Sequence, residues 1–141
     1  MRHKVDGRLF GRPANQRKAL LRGLVTALFD NQRIETTVAK AKETRRIAER
    51  MITFGIKGDL HSKRQVLSYV TDRSTVAKLF SEIAPRFTGR NGGYLRIVQT
   101  RNRLKDSAPM AILEFIDYES VKKPKGKAAA KKDEKAEKKE K

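Results

Sequence analysis

The chain has no cysteine and no long apolar run, and it is short of acidic residues. Without cysteine there is neither a disulfide framework nor a zinc knuckle, and the chain suits a reducing compartment. No apolar stretch approaches the length of a membrane-spanning helix, so contact with a bilayer is expected only from outside. Met1-Arg2-His3-Lys4 has no apolar run behind it, and no secretory leader is expected. The shortage of acids matters most. Only 16 Asp and Glu stand against 34 Lys and Arg in 141 residues, a formal net charge of +18. A compact domain carrying that charge repels itself unless a polyanion neutralises it. Nucleic acid is the first candidate for that polyanion, and an anionic membrane surface the second. The length allows one ordinary domain with appendages.

Catalytic parts are equally scarce. The two histidines are His3, near the start, and His61, at a predicted helix entry. His61 reads better as a helix-entry residue than as a metal ligand. The acids are scattered among bases as caps and i, i+4 partners, with no Ser-His-Asp set and no paired carboxylates. No reaction, metal or cofactor is expected.

Residues 1–14 lack apolar periodicity and carry Arg2, Lys4, Arg8 and Arg12 against the single acid Asp6. Alone, this segment is expected to be a mobile arm, with Leu9 and Phe10 able to anchor it or to stack on a base. It is either a plain disordered terminus or an arm that orders on nucleic acid, and its charge favours the second. A first helix is predicted over residues 16–30, capped by Asn15, with Leu20, Leu21, Leu24, Val25 and Leu28 as its core stripe and Phe29 beside it. Residues 33–36 read as a short strand. A second helix follows over residues 38–54, with Thr37 as its N-cap. Its core face is Val38, Ala41, Ala48, Met51 and Ile52, edged by Ile47 and Phe54. Gly55 and Gly58 are expected to end it. A short third helix spans 61–70 with Val66, Leu67 and Val70 inward. Asp72 or Ser74 caps a fourth, whose core positions are Val76, Leu79, Phe80 and Ile83 and which Pro85 stops.

After the turn Thr88-Gly89-Arg90-Asn91-Gly92-Gly93 the period changes to two. Residues 94–99 form one strand, and residues 110–117, with Ala111, Leu113 and Phe115 on one face, form its partner. The basic connection between them holds Arg101 and Arg103. The fold class is therefore α+β: a small three-stranded sheet packed against about four helices. The other sheet face, with Tyr94, Arg96 and Gln99, is expected to meet a partner. Asn91-Gly92-Gly93 is either a flexible turn or a phosphate cradle. From residue 121 the composition collapses to Lys, Ala and Glu. Ten lysines against four acids give that tail +6 and leave +12 on the rest. The division is a basic arm over residues 1–14, a domain over 15–120, and a disordered tail over 121–141.

The sign of charge at two helix starts carries the functional reading. Arg17 and Lys18 open the first helix, and Lys40 and Lys42 open the second. Cations there oppose the helix dipole, each costing about 0.3–1 kcal/mol when exposed. Lys42, Arg46 and Arg50 share one helical face, flanked by Lys40 and Arg45. A solvated face would explain one such helix; two suggest an external anion, for which free first-turn amides are themselves a site. With cations spread over arm, helix starts and loop, irregular folded RNA fits better than the major groove of DNA. The alternatives are a nucleoid-type DNA-binding protein and an RNA-modifying enzyme; no pocket with a nucleophile or acid–base pair can be assembled for the latter.

The residues Met1-Arg2-His3-Lys4-x-x-Gly7-Arg8-x-x-x-Arg12 and Ile34-x-Thr36-Thr37-x-x-Lys40-Ala41-Lys42-Glu43 resemble the bacterial large-subunit ribosomal protein seventeen family. So do Ala77-Lys78-Leu79-Phe80, Pro85-Arg86-Phe87, Gly92-Gly93-Tyr94-x-Arg96-Ile97 and Ala108-Pro109-Met110-Ala111. The pieces cover residues 1–117 in the family's order. One departure is Lys105 before Asp106, where glycine is expected in many relatives. The resemblance implies a structural component of the 50S subunit that binds 23S rRNA near the polypeptide exit region and touches neighbouring ribosomal proteins. It implies RNA contacts for Arg2, His3, Lys4, Arg8, Arg12, Lys40 and Lys42. A cytoplasmic location follows from the resemblance alone. Charge and placement add Arg17, Lys18, Arg45, Arg46, Arg90, Tyr94, Arg96, Arg101 and Arg103 as candidate RNA contacts.

Overall fold

The computed structural model describes residues 7–118. The candidates Arg2, His3 and Lys4, and the expected tail, lie outside the described residues.

The first helix, α1 (Ala14–Asn31), starts directly after Pro13. Asn15 is not its cap. A turn bonding Arg12 N–H to Leu9 O at 3.2 Å delivers the chain to Pro13, which takes the cap position with no side-chain bond to the free amides. Only Val25, Leu28 and Phe29 are fully buried, and Leu20, Leu21 and Leu24 are half-buried, so the expected stripe is complete only in the second half of the helix. Gln32, at φ 61, ends the helix by donating its N–H to Leu28 O at 2.7 Å.

Strand β1 (Arg33–Thr37) runs without a linker into α2 (Val38–Lys57). Ala41, Thr44, Ala48, Met51 and Ile52 form the buried face of α2, while Val38, Ile47 and Phe54 flank it. Gly55 does not terminate this helix. It lies inside and is buried, and a Cβ there would stand 3.0 Å from the Ala84 Cβ. The helix ends at Gly58, whose φ of 68 suits a left-handed cap; its N–H reaches Phe54 O at 3.2 Å. Gly55→Ala is expected to lower stability by about 1–2 kcal/mol despite alanine's better helix propensity, because Ala84 cannot rotate its methyl away. A urea melt checks this, and a stabilised variant would show that the two backbones can separate.

Helix α3 (Leu60–Tyr69) is capped by Asp59, which accepts from Ser62 N–H at 3.0 Å. Its inward face is Ser62, Val66 and the following Val70. Leu67, expected inside, is 41% exposed because one helix position carries it about 100° away from Val66. Helix α4 (Arg73–Lys78) is capped by Asp72 rather than Ser74. Pro85 does not stop it: the path continues as a π turn (Leu79–Ile83) and a 3-10 turn (Ala84–Phe87), where Pro85 sits at the start and its missing N–H goes unused. Val76, Leu79 and Ile83 are buried, and Phe80 is half-buried beneath the Lys63 ammonium, 5.6 Å from its ring.

Strands β2 (Leu95–Asn102) and β3 (Pro109–Phe115) complete an antiparallel sheet of order β1-β3-β2. The last strand in sequence is thus central, and Ala111, Leu113 and Phe115 on its inner face are fully buried. Phe115 stacks with Phe29 and Phe87, centroids 6.4 and 5.8 Å away. On the outer face Arg33 and Arg96 oppose Glu114 from the two edge strands. The fold is α+β, with the helices on the inner face of the sheet.

Tyr94 is a correction. It precedes β2, is 3% exposed, packs at 5.3 Å against Phe87 and donates its hydroxyl to Arg90 O at 3.1 Å. The bend at Gly92 and Gly93 (φ 135 and 63) turns the ring into the core. Gln99 is also not on the outer face; it shares the side of Leu95 and Ile97, as strand parity requires.

Candidate nucleic-acid interface

The two capped helices and the two uncapped ones divide the chemistry. Asp59 and Asp72 satisfy the first amides of α3 and α4. Hydrogen bonds from the Thr75 side chain first, then from Ser74, hold the Asp72 carboxyl down from 3.8 to about 2. Since its folded value is the lower one, its contribution to stability is complete above about pH 4 and is lost as the pH falls toward 2. Asp72→Asn is expected to flatten the melting-temperature curve in that interval; an unchanged curve would show that the cap contributes nothing.

At α1 and α2 no side chain among the described residues bonds the first-turn amides, and no acid stands in the first turn. Thr37 occupies the cap position of α2, yet its hydroxyl makes no capping bond. The free amides of both helices therefore remain open to an external acceptor. Arg17, Lys18, Lys40 and Lys42 have no ion-pair partner among the described residues.

Three acids are engaged elsewhere. Glu114 is 5% exposed and lies between Arg96 (2.6 Å) and Arg33 (3.3 Å). Asp117 holds Arg86 at 2.7 Å. Asp106 grips Arg103 through two bonds of 2.8 and 2.6 Å, and the guanidinium holds its carboxyl at about 2. That grip, with Ser107 at φ 52, shapes the β2–β3 loop without a glycine at Lys105. Arg96 and Arg103 are thus ion-paired within the fold, whereas Arg101 has no acidic partner among the described residues. Arg12 donates to Phe10 O at 2.9 Å, and Arg90 to Gly92 O at 3.1 Å.

Two clefts collect the cations. One of about 330 Å³ is lined by Arg8 from the segment before α1, by Lys42, Arg45 and Arg46 on α2, and by Ile97 and Gln99 on β2. Glu43 lies in the same cleft, 3.8 Å from Arg8 and 3.7 Å from Arg46, and Arg45 also reaches Glu49 at 4.0 Å. A second cleft, of about 370 Å³, lies between Glu35 on β1 and Arg101, Arg103, Leu104 and Lys105 of the β2–β3 region, with Met110 as floor. Arg17, Lys18, Lys40 and Arg90 line neither cleft. The sequence places Gln99 on the outer sheet face and marks Lys105 only as a departure in the loop; both line these clefts, and the parity of β2 and the basic run around Lys105 were the available signals.

Such a surface defines a small basic α+β protein, several of whose carboxylates are used within the fold while many of its cations face outward. The sequence pattern of the family Ribosomal protein L17 matches residues 20–116, and the chain belongs to that family. It is 64% identical over 123 residues to the large ribosomal subunit protein bL17 of Thermodesulfovibrio yellowstonii, covering 87% of this chain and 92% of that one. The protein of the same name from Symbiobacterium thermophilum is 58% identical over 106 residues, 75% of this chain and 94% of that one. That of Desulfotalea psychrophila is 54% identical over 121 residues, 86% and 94% of the two chains.

Proposed function

We propose that this chain is a structural constituent of the large ribosomal subunit, working in translation, that binds 23S rRNA and steadies its fold. It catalyses no reaction. The observation that carries the reading is the division of charge: Glu114, Asp117 and Asp106 hold arginines within the fold, while Lys40, Lys42, Arg17, Lys18 and Arg101 stay unpaired among the described residues. No acid stands in the first turn of α1 or α2, where open amides add to the attraction.

In this reading residues 1–14 act as an arm, residues 15–120 as the body, and residues 121–141 as a basic tail. Arg2, His3, Lys4, Arg8 and Arg12 in the arm contact rRNA together with Arg17, Lys18, Lys40, Lys42, Arg45 and Arg46. Arg90, before β2, and Arg101, near the end of β2, add further contacts. Arg96 and Arg103 serve chiefly to brace the sheet and its loop, and Tyr94 belongs to the core. Neighbouring ribosomal proteins are further partners, and the cytoplasmic ribosome is the location.

The test is sedimentation of a lysate through a sucrose gradient. The chain is expected to travel with large subunits and to be stripped by high salt. A chain found in the light soluble fractions of growing cells, or one preferring duplex DNA when purified, would overturn the reading in favour of a nucleoid-type protein.

A further inference from the structure

Glu43 stands where a polyanion-binding surface has least use for it. It sits beside Lys42, in the stretch of α2 that also carries Lys40, Arg45 and Arg46, and its side chain is 16% exposed. Simple electrostatics makes such a carboxylate a liability, since it repels the phosphates its neighbours attract.

Its contacts suggest another purpose. One carboxylate oxygen meets the Arg8 guanidinium at 3.8 Å and the other meets Arg46 at 3.7 Å. The space beside Gly7 is bounded by the same carboxylate, since a Cβ on Gly7 would lie 3.7 Å from Glu43 Oε2. Two successive residues of the segment before α1 therefore rest on this one side chain. The segment is tied at its other end as well, by the Leu9–Arg12 turn that leads into Pro13 and α1. Between these ties Phe10 is half-buried and Leu9 is 64% exposed. Half-exposed ion pairs of this length contribute little to overall stability. What they can do is limit where the segment goes.

We propose that Glu43 is a positioning residue: it draws Arg8 over α2 so that Arg8, Lys42, Arg45 and Arg46 meet one stretch of RNA backbone as a preset group. This rests on the rRNA reading above and deepens it. The carboxylate offsets part of the local attraction and in return reduces the ordering that binding must otherwise complete. Only the two ends of the trade have opposite signs, which makes it measurable.

Glu43→Gln keeps the shape of the side chain and raises the net charge by one. If Glu43 were only a misplaced charge, the variant would bind RNA more tightly. The inference gives the reverse: binding to large-subunit rRNA weakens about threefold to tenfold, as expected when a few long side chains must be ordered anew. Binding to poly(U), which demands no fixed geometry, stays equal or tightens. In a background carrying Arg8→Gln, Glu43→Gln is expected to cause no additional loss, because the pair acts as a unit. Glu43→Asp, which retains the charge, is expected to recover part of the affinity. Trypsin cleavage after Arg8 in the free protein is expected to quicken in Glu43→Gln and not in Glu43→Asp, and circular dichroism confirms that each variant is folded. A Glu43→Gln protein that binds rRNA as well as or better than the parent overturns the inference while leaving the rRNA reading intact. A parent protein with no preference for rRNA over duplex DNA overturns both.

Discussion

Replacing Lys40 and Lys42 together with glutamine is expected to weaken rRNA binding about tenfold to a hundredfold near 0.1 M salt, and to make the protein no less stable. Each lysine neutralising a phosphate releases a condensed counterion, so removing two contacts should reduce the slope of log affinity against log salt by about 1.5. Stability moves the other way. Both side chains lie in the first turns of α2, whose free amides already carry positive potential, and neither has an acidic partner among the described residues. Removing both relieves about 0.3–1 kcal/mol each at low ionic strength. Filter binding over a salt series and thermal melts of the same samples give the two numbers. Lower stability with unchanged binding would show that the lysines serve the fold and not a partner.

Phe115→Ala is expected to have the largest effect on the free protein. Phe115 is fully buried on the central strand, stacked against Phe29 of α1 and Phe87 of the 3-10 turn, with Arg86 lying 6.0 Å over its ring. It joins the helices to the sheet, and emptying that site should cost about 3–5 kcal/mol. Total stabilities of small domains run to about 5–15 kcal/mol, so much of the reserve disappears. Urea unfolding followed by circular dichroism measures it. A loss below about 1 kcal/mol would mean that neighbouring side chains collapse into the space and that the ring cluster is not the centre of the core. RNA affinity per folded molecule should stay near normal, which separates this variant from the lysine pair.

Local pattern carried the reading of the chain a long way. The inward residues of α2 and β3 follow from spacing alone, since each element has one face against the core and one toward water. The cations at the starts of α1 and α2 were equally visible, because a residue's distance from a helix start is a local property. What failed was local chemistry decided by distant neighbours. Asn15 and Thr37 are good capping types, but whether a hydroxyl or amide turns toward the free N–H groups depends on how the chain enters the helix. Gly55 looks like a terminator until Ala84, far along the chain, is seen to press on it. Tyr94 fits the alternation of β2 one residue too early, and only the packing of Phe87 shows that its ring belongs inside. The same limit governed the basic residues. Arg96 and Lys40 look alike in sequence, but Arg96 meets an acid 18 residues away across two strands and Lys40 meets none among the described residues.

The direct passage from β1 to α2 carries a consequence for assembly. Thr37 is the last residue of the strand and Val38 the first of the helix, so no slack exists between them. A slip of one residue against β3 would exchange the faces of β1, and the helix, fixed to it like a crank to an axle, would swing its lysines away from their station. The pairing of Thr37 with Met110 thus sets where α2 begins relative to the sheet.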